Sequence, residues 1–269
     1  TQGLFYQKKK HHIDISQDLC SPPKKFFPVD NVNVECNKFI SIGNELFVTS
    51  NNGVYRIIKD HAEKITDGLL ESIIQSEKYP SVLYIAKSNG LGIIKHKGKD
   101  DYTEIGNLTK LDKHIRTLAE DDKGDLWLGS DYHGAFNVNF SNGIDLSADV
   151  IQLKENYGLP ANHGWIDVYS TSNGVIFSTQ KGLFRFNNDS NKFYYDTLIG
   201  IDFSQENRWI FPAVEDHENN IWFSSGFNNK YKKVTAVAFY QGQGEKYKLF
   251  TSEFNLLKDF TIEAIYLDT

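Results

Sequence analysis

A bulky apolar residue, one spacer and then a small residue recur five times along the chain: Phe47 and Thr49, Tyr84 and Ala86, Trp127 and Gly129, Ile176 and Ser178, Trp222 and Ser224. Alternation with a period of two marks a strand, whose successive side chains point to opposite faces. The bulky residues are spaced 37, 43, 49 and 46 apart, so the alternation is itself periodic. In four copies a glycine follows and apolar alternation resumes, at residues 53–57, 90–94, 134–138 and 182–186. No segment holds a helical period beyond about ten residues, and the pattern predicts an all-β chain.

Within one period the order is legible. Ile115–Glu120 reads as a first strand, Lys123-Gly124 as a tight turn, residues 125–130 as a second strand, 134–140 as a third and 150–154 as a fourth. Asn173-Gly174 and Asn219-Asn220 interrupt other copies where a hairpin needs positive φ. Four antiparallel strands in roughly 40–50 residues make the blade of a β-propeller. One blade cannot cover both its faces, so blades stack, and the repeated small residues suit the crowded centre of a ring. Five blades are expected at about 33–68, 69–110, 111–160, 161–206 and 207–256, with partial blades at 1–32 and 257–269, forming a single β-propeller over 1–269. Residues 1–6 match the end of a second strand and a third strand, and Phe260 to Thr269 match a first strand. The expectation is a ring of about six to seven blades, of which this chain is a fragment. The absence of any methionine agrees with a piece of a longer sequence.

Composition narrows the function. The chain has 269 residues, 40% hydrophobic and 24% charged, and its aromatic content of 14% suits strands. Against 35 acidic residues stand 29 basic ones, so a broad cationic surface for nucleic acid is not expected. No run of about 18 apolar residues occurs, and a membrane would be met only through parts outside this chain. Cys20 and Cys36 could form a bridge or stay free thiols, and neither reading names a compartment. No zinc or calcium spacing and no nucleophile elbow is present, so neither a metal nor another cofactor is expected.

The two strongest copies, AEDDKGDLWLGS at 119–130 and VEDHENNIWFSS at 214–225, share an acidic pair, a turn, and then Trp127 or Trp222. Followed by a glycine and an aromatic, this pattern resembles the two-component regulator propeller repeat. Residues 120–136 fit closely; in 215–225 serines replace the glycine and threonine; the copies at 41–57, 81–95 and 172–186 lack the Trp or the acidic pair. The resemblance implies the periplasmic sensor part of a hybrid two-component histidine kinase or a similar receptor, in which a β-sandwich, a membrane helix and a cytoplasmic signalling module follow the propeller. It also implies an extracellular ligand, often an oligosaccharide.

Repetition argues that Trp127 and Trp222 pack between blades rather than bind sugar. The pairs Glu120-Asp121 and Glu215-Asp216, placed before a turn, are expected to accept backbone N–H groups there. Function is better sought where copies differ. Second-to-third-strand turns and the connections into first strands share one rim, the usual ligand face. The turns offer Asn51, Asn52, Ser88, Asn89, Asp131, Tyr132, His133, Lys181, Phe227, Asn228 and Asn229; the connections add His114, Arg116, Asn162, His163, Trp165, Arg208 and Trp209. The candidates taken forward for ligand binding are Tyr132, His133, Arg116, His163, Trp165, Arg208, Trp209, Phe227 and Asn228. Aromatic faces and amide or guanidinium donors together suit a sugar. The basic clusters at 8–12 and 230–233 read as solvated ends or loops. Expected partners are a small molecule or oligosaccharide, a neighbouring propeller or β-sandwich of the same chain, and a second copy. The competing readings are a propeller enzyme acting on polysaccharide, which needs carboxylates, histidines or a metal at the ring centre, and a dimerising scaffold.

Overall fold

The structure is a computed structural model that describes residues 5–7, 26–98, 101–140, 142–199, 208–227, 234–239, 247–250, 262 and 265. Among these the chain is all-β apart from one 3-10 turn, Glu155–Tyr157. The chain divides into two compact units, residues 1–70 and 71–269. In the first, β1 (Phe5–Gln7) pairs antiparallel with β2 (Phe26–Pro28). A four-stranded meander follows: β3 (Cys36–Ile42), β4 (Glu45–Ser50), β5 (Gly53–Ile58) and β6 (His61–Asp67). The segment before β3 runs beside β6 through the Asp30–His61 bridge, and Val29 and Val32 cover Tyr55 and Ala62. Cys36 is a half-buried thiol, its acidity weakened by burial and by Glu35; Cys20 lies outside the described residues.

The second unit holds four more meanders of the same order. They are β7 (Leu70–Gln75), β8 (Val82–Lys87), β9 (Gly90–His96) and β10 (Tyr102–Asn107); β11 (Ile115–Glu120), β12 (Leu126–Ser130), β13 (Ala135–Val138) and β14 (Val150–Leu153); β15 (Ile166–Tyr169), β16 (Ile176–Thr179), β17 (Gly182–Asn187) and β18 (Lys192–Tyr195); and β19 (Arg208–Glu215), β20 (Ile221–Phe227), β21 (Val234–Phe239) and β22 (Lys248–Phe250). The sheet β11–β14 lies within two residues of the strands expected from its alternation. Gly124, Gly174 and Asn219 have positive φ, as the turns require. Both basic clusters, and the expected terminal strand at 260–269 apart from Ile262 and Ile265, lie outside the described residues.

The five repeated bulky residues fall on the second strands, β4, β8, β12, β16 and β20. Second strands are buried on both faces, and this sets how blades stack. On β12, Leu126 and Leu128 join a core with Tyr84, Leu91 and Ile93 of the preceding blade, while Trp127 joins Phe177, Phe184 and Phe193 of the following one. Trp127 stands edge-on to Phe177 with ring centroids 5.4 Å apart. Ile176 likewise packs forward on Ile210, Ile221 and Phe223. The small column is where the next blade's first strand crosses. A Cβ on Gly129 would run into the Ile166 carbonyl oxygen, and the Ser178 hydroxyl accepts the Ile210 N–H at 2.7 Å.

The acidic pair divides its labour. Asp121 does what its place before the turn predicts: Oδ1 accepts the N–H groups of Lys123 and Asp125, at 3.0 and 2.9 Å. Its Oδ2 also takes the Trp127 indole N–H, at 2.9 Å, and Asp216 repeats the set with Glu218, Asn220 and Trp222. Glu120 does not serve its own turn. It accepts from the Ser76 hydroxyl and the Glu77 N–H of the blade before, and Glu215 does the same with both donors of Ser172. One carboxylate closes the blade and the other ties it to its neighbour.

Candidate functional site

First strands of three successive blades bring their opening residues together: Glu71 on β7, Arg116 on β11 and Asp167 on β15. The β12–β13 turn reaches the same place, because Asp131 forms an antiparallel bridge with Trp165 just before β15. That bridge is the shared rim expected from the connectivity. The β16–β17 turn meets the same connection from within its own blade, the Gln180 N–H donating to the His163 carbonyl at 2.9 Å.

Arg116 is the hub. Its Nε donates to Asp167 at 3.2 Å and its Nη1 to Asp131 at 3.3 Å. The guanidinium lies 5.0 Å from the Trp165 ring centre and 5.8 Å from that of Phe211 on β19. His114 extends the cluster, with Nδ1 2.7 Å from Asp131 and Nε2 3.1 Å from Glu71. The result is a chain in which carboxylates alternate with nitrogen groups, Glu71, His114, Asp131, Arg116 and Asp167, beside an indole that is 39% exposed.

Burial and charge act unequally on the central pair. Burial raises the Asp167 carboxyl, and Arg116 only partly opposes it, leaving its pKa at about 6. At Arg116 burial works against the charge, but Asp167 and Asp131 outweigh it and the guanidinium is held more firmly protonated than usual. Tyr169, one turn of the pleat further along β15, is pushed well up by burial and by Asp167; its hydroxyl donates to the Ile210 carbonyl at 3.3 Å. Among the described residues no group of three potential ligands is arranged to hold a metal ion.

Of the residues singled out from sequence, Arg116 and Trp165 meet directly. Tyr132 adjoins them through Asp131, with positive φ and 67% exposure. His133 is exposed beside it, its carbonyl accepting from Gln152 at 2.7 Å. His163 is buried at 5%, its ring Nδ1 2.7 Å from the Gly164 carbonyl, and it does not join the cluster. Trp209 is half-buried on β19, Arg208 and Phe227 are backbone register partners in the β19–β20 ladder, and Asn228 lies outside the described residues. Sequence reasoning passed over Glu71 and Phe211 and left His114 and Asp131 among general rim positions. Nothing local marks Glu71, whose partner is 43 residues away.

The fold and this rim define the class: a β-propeller built of four-stranded meander blades with a polar and aromatic cluster at the start of its first strands. More particularly, residues 109–132, which include β11, β12 and both Arg116 and Asp131, match the family model described as two component regulator propeller. No protein of curated function matches the chain in sequence. Two solved structures of the extracellular domain of BT4673 from B. thetaiotaomicron, described once as a one component and once as a hybrid two component system, are similar to it. They have 16% and 14% identity and TM-scores of 0.56 and 0.57, covering 81% and 86% of this chain but 33% and 35% of theirs. An ancestral GH74 enzyme is similar at 11% identity and TM-score 0.57, covering 80% of this chain and 31% of its own. The chain thus spans about a third of the length of these structures. None of its described helices is long and apolar enough to cross a membrane.

Proposed function

We propose that this propeller segment belongs to the extracytoplasmic, ligand-sensing part of a two-component signalling receptor, and that it binds an oligosaccharide without consuming it. The observation that carries the reading is the convergence of Arg116, Asp131 and Trp165, from two blades, on one rim. Arg116 has five N–H donors in a fixed plane. Two are engaged by carboxylates, and among the described residues Nη2 has no hydrogen-bond partner. A sugar ring laid on the exposed indole would find that donor and the Asp131 carboxylate for its hydroxyls. The repeat family and the likeness to extracellular receptor domains support a sensor and a place outside the cytoplasm.

The same geometry speaks against hydrolysis. A glycosidase needs one carboxyl group free to protonate the leaving oxygen and a second facing the scissile bond. Here Asp167 is buried against Arg116, and Asp131 is shared by Arg116 and His114. Calorimetry of the intact receptor's outer region against a panel of oligosaccharides, with product analysis by chromatography, tests both halves. Binding with the glycan recovered whole, lost in Trp165→Ala, is the expected result; cleavage products, or no binding to any glycan, would overturn it.

A further inference from the structure

The rim cluster is unusual in its charge. Three carboxylates, Glu71, Asp131 and Asp167, surround one guanidinium and one imidazole, all joined by contacts of 2.7 to 3.3 Å. Whichever protonation state His114 holds, the sum over these groups is negative with the carboxylates ionised. Lys113, the nearest lysine in sequence, is occupied by Asp112 at 2.8 Å. Arg116 is therefore not an anion receptor in waiting. Its charge is already matched, and what it still offers a ligand is hydrogen-bond donors held in place by two carboxylates and two aromatic rings.

Resting on the sensor reading above, we infer that this rim selects an uncharged glycan and discriminates against uronic-acid and sulfated ones. A neutral sugar has hydroxyls that both accept from Arg116 and donate to Asp131, and an apolar face for Trp165. A ligand carboxylate or sulfate placed to reach Arg116 comes equally close to Asp131 and is repelled. With a net unit charge about 6 Å away and an effective dielectric constant of about 40, the penalty is roughly tenfold in affinity. An arginine at a protein surface is ordinarily read as an acid-binding residue. Its surroundings reverse that reading here.

The test uses probes that differ only in charge: oligogalacturonides against their methyl esters, and sulfated oligosaccharides against desulfated ones, titrated into the full chain at neutral pH and low salt. A neutral member that binds at least about tenfold more tightly than its charged partner supports the inference. Acidic members that bind as tightly or more tightly overturn it while leaving a glycan sensor standing. If neither member of any pair binds, nor any other oligosaccharide of the wider panel, the sensor reading itself falls and the selectivity with it. Asp131→Asn keeps an oxygen for Arg116 and removes one negative charge, so it should narrow the gap between partners several-fold; an unchanged gap counts against the inference. Circular dichroism confirms that the variant folds, and Glu71→Gln, 29% exposed, repeats the measurement if it does not.

Discussion

At the scale of single residues, Asp167 and Asp121 make opposite contributions to stability. Asp167 is almost sealed from water, and burial lifts its pKa from 3.8 to about 6 against the pull of Arg116. Between those two values the folded chain holds a proton that the unfolded chain has released. Stability therefore falls as pH rises through this window and levels off above it, by on the order of 3 kcal/mol in all at about 1.4 kcal/mol per unit. Asp167→Asn should flatten that decline, which urea midpoints measured from pH 4 to pH 7 would show; equal slopes in both proteins would contradict it. Asp121 is different, because its charge is held by donors at the turn and by the Trp127 indole. Asp121→Ala strands all three and should cost about 2–4 kcal/mol in denaturant unfolding, with Asp121→Asn costing less because it keeps an acceptor.

At the scale of strands, the contact between one blade's second strand and the next blade's first is the tightest point of the stack. Gly129→Ala sets a methyl against the Ile166 carbonyl, where backbone must move, and about 1–3 kcal/mol of destabilisation is expected from thermal unfolding. Ser178→Ala creates no clash but leaves the Ile210 N–H without its acceptor, a loss of about 1–3 kcal/mol by a separate route. A Gly129→Ala chain as stable as the parent would mean that this crossing is looser than its geometry. These elements were legible because a strand's period of two survives in a single sequence, and Trp127, Gly129 and the Lys123-Gly124 turn each obey a local rule. The role of Glu120 was not legible. Its partners Ser76 and Glu77 lie more than 40 residues back, so its adjacency to Asp121 suggested a shared turn when only Asp121 serves one. The bulges in β11 and β19, between Ile115 and Thr117 and between Ile210 and Ala213, were hidden for the same reason: they answer to the neighbouring strand, not to the chain's own pattern.

At the scale of the whole molecule, the candidate site was half legible. Arg116, Asp131 and Trp165 could be placed on one rim because meander connectivity alone sends turns and connections to the same end. Their pairing with Glu71, His114 and Phe211 depends on how four blades stack, and side-chain reach across blades leaves no periodic trace. Because the cluster draws on β7, β11, β15 and β19, a ligand seated there would hold several blades at once and act on global unfolding. At a hundredfold excess over Kd it adds about 2.7 kcal/mol to stability. For a unit of this size that raises Tm by roughly 5–10 °C. Trp165 is substantially exposed, so Trp165→Ala should move the ligand-free Tm by less than about 2 °C while abolishing the ligand-induced rise. Arg116→Gln, which leaves Asp131 and Asp167 without their cation, should lower the ligand-free Tm as well as the rise. Scanning calorimetry with and without a bound oligosaccharide separates the two variants. If the rise survives in both, the ligand sits elsewhere on the propeller, and the cluster is a structural tie between blades rather than a binding site.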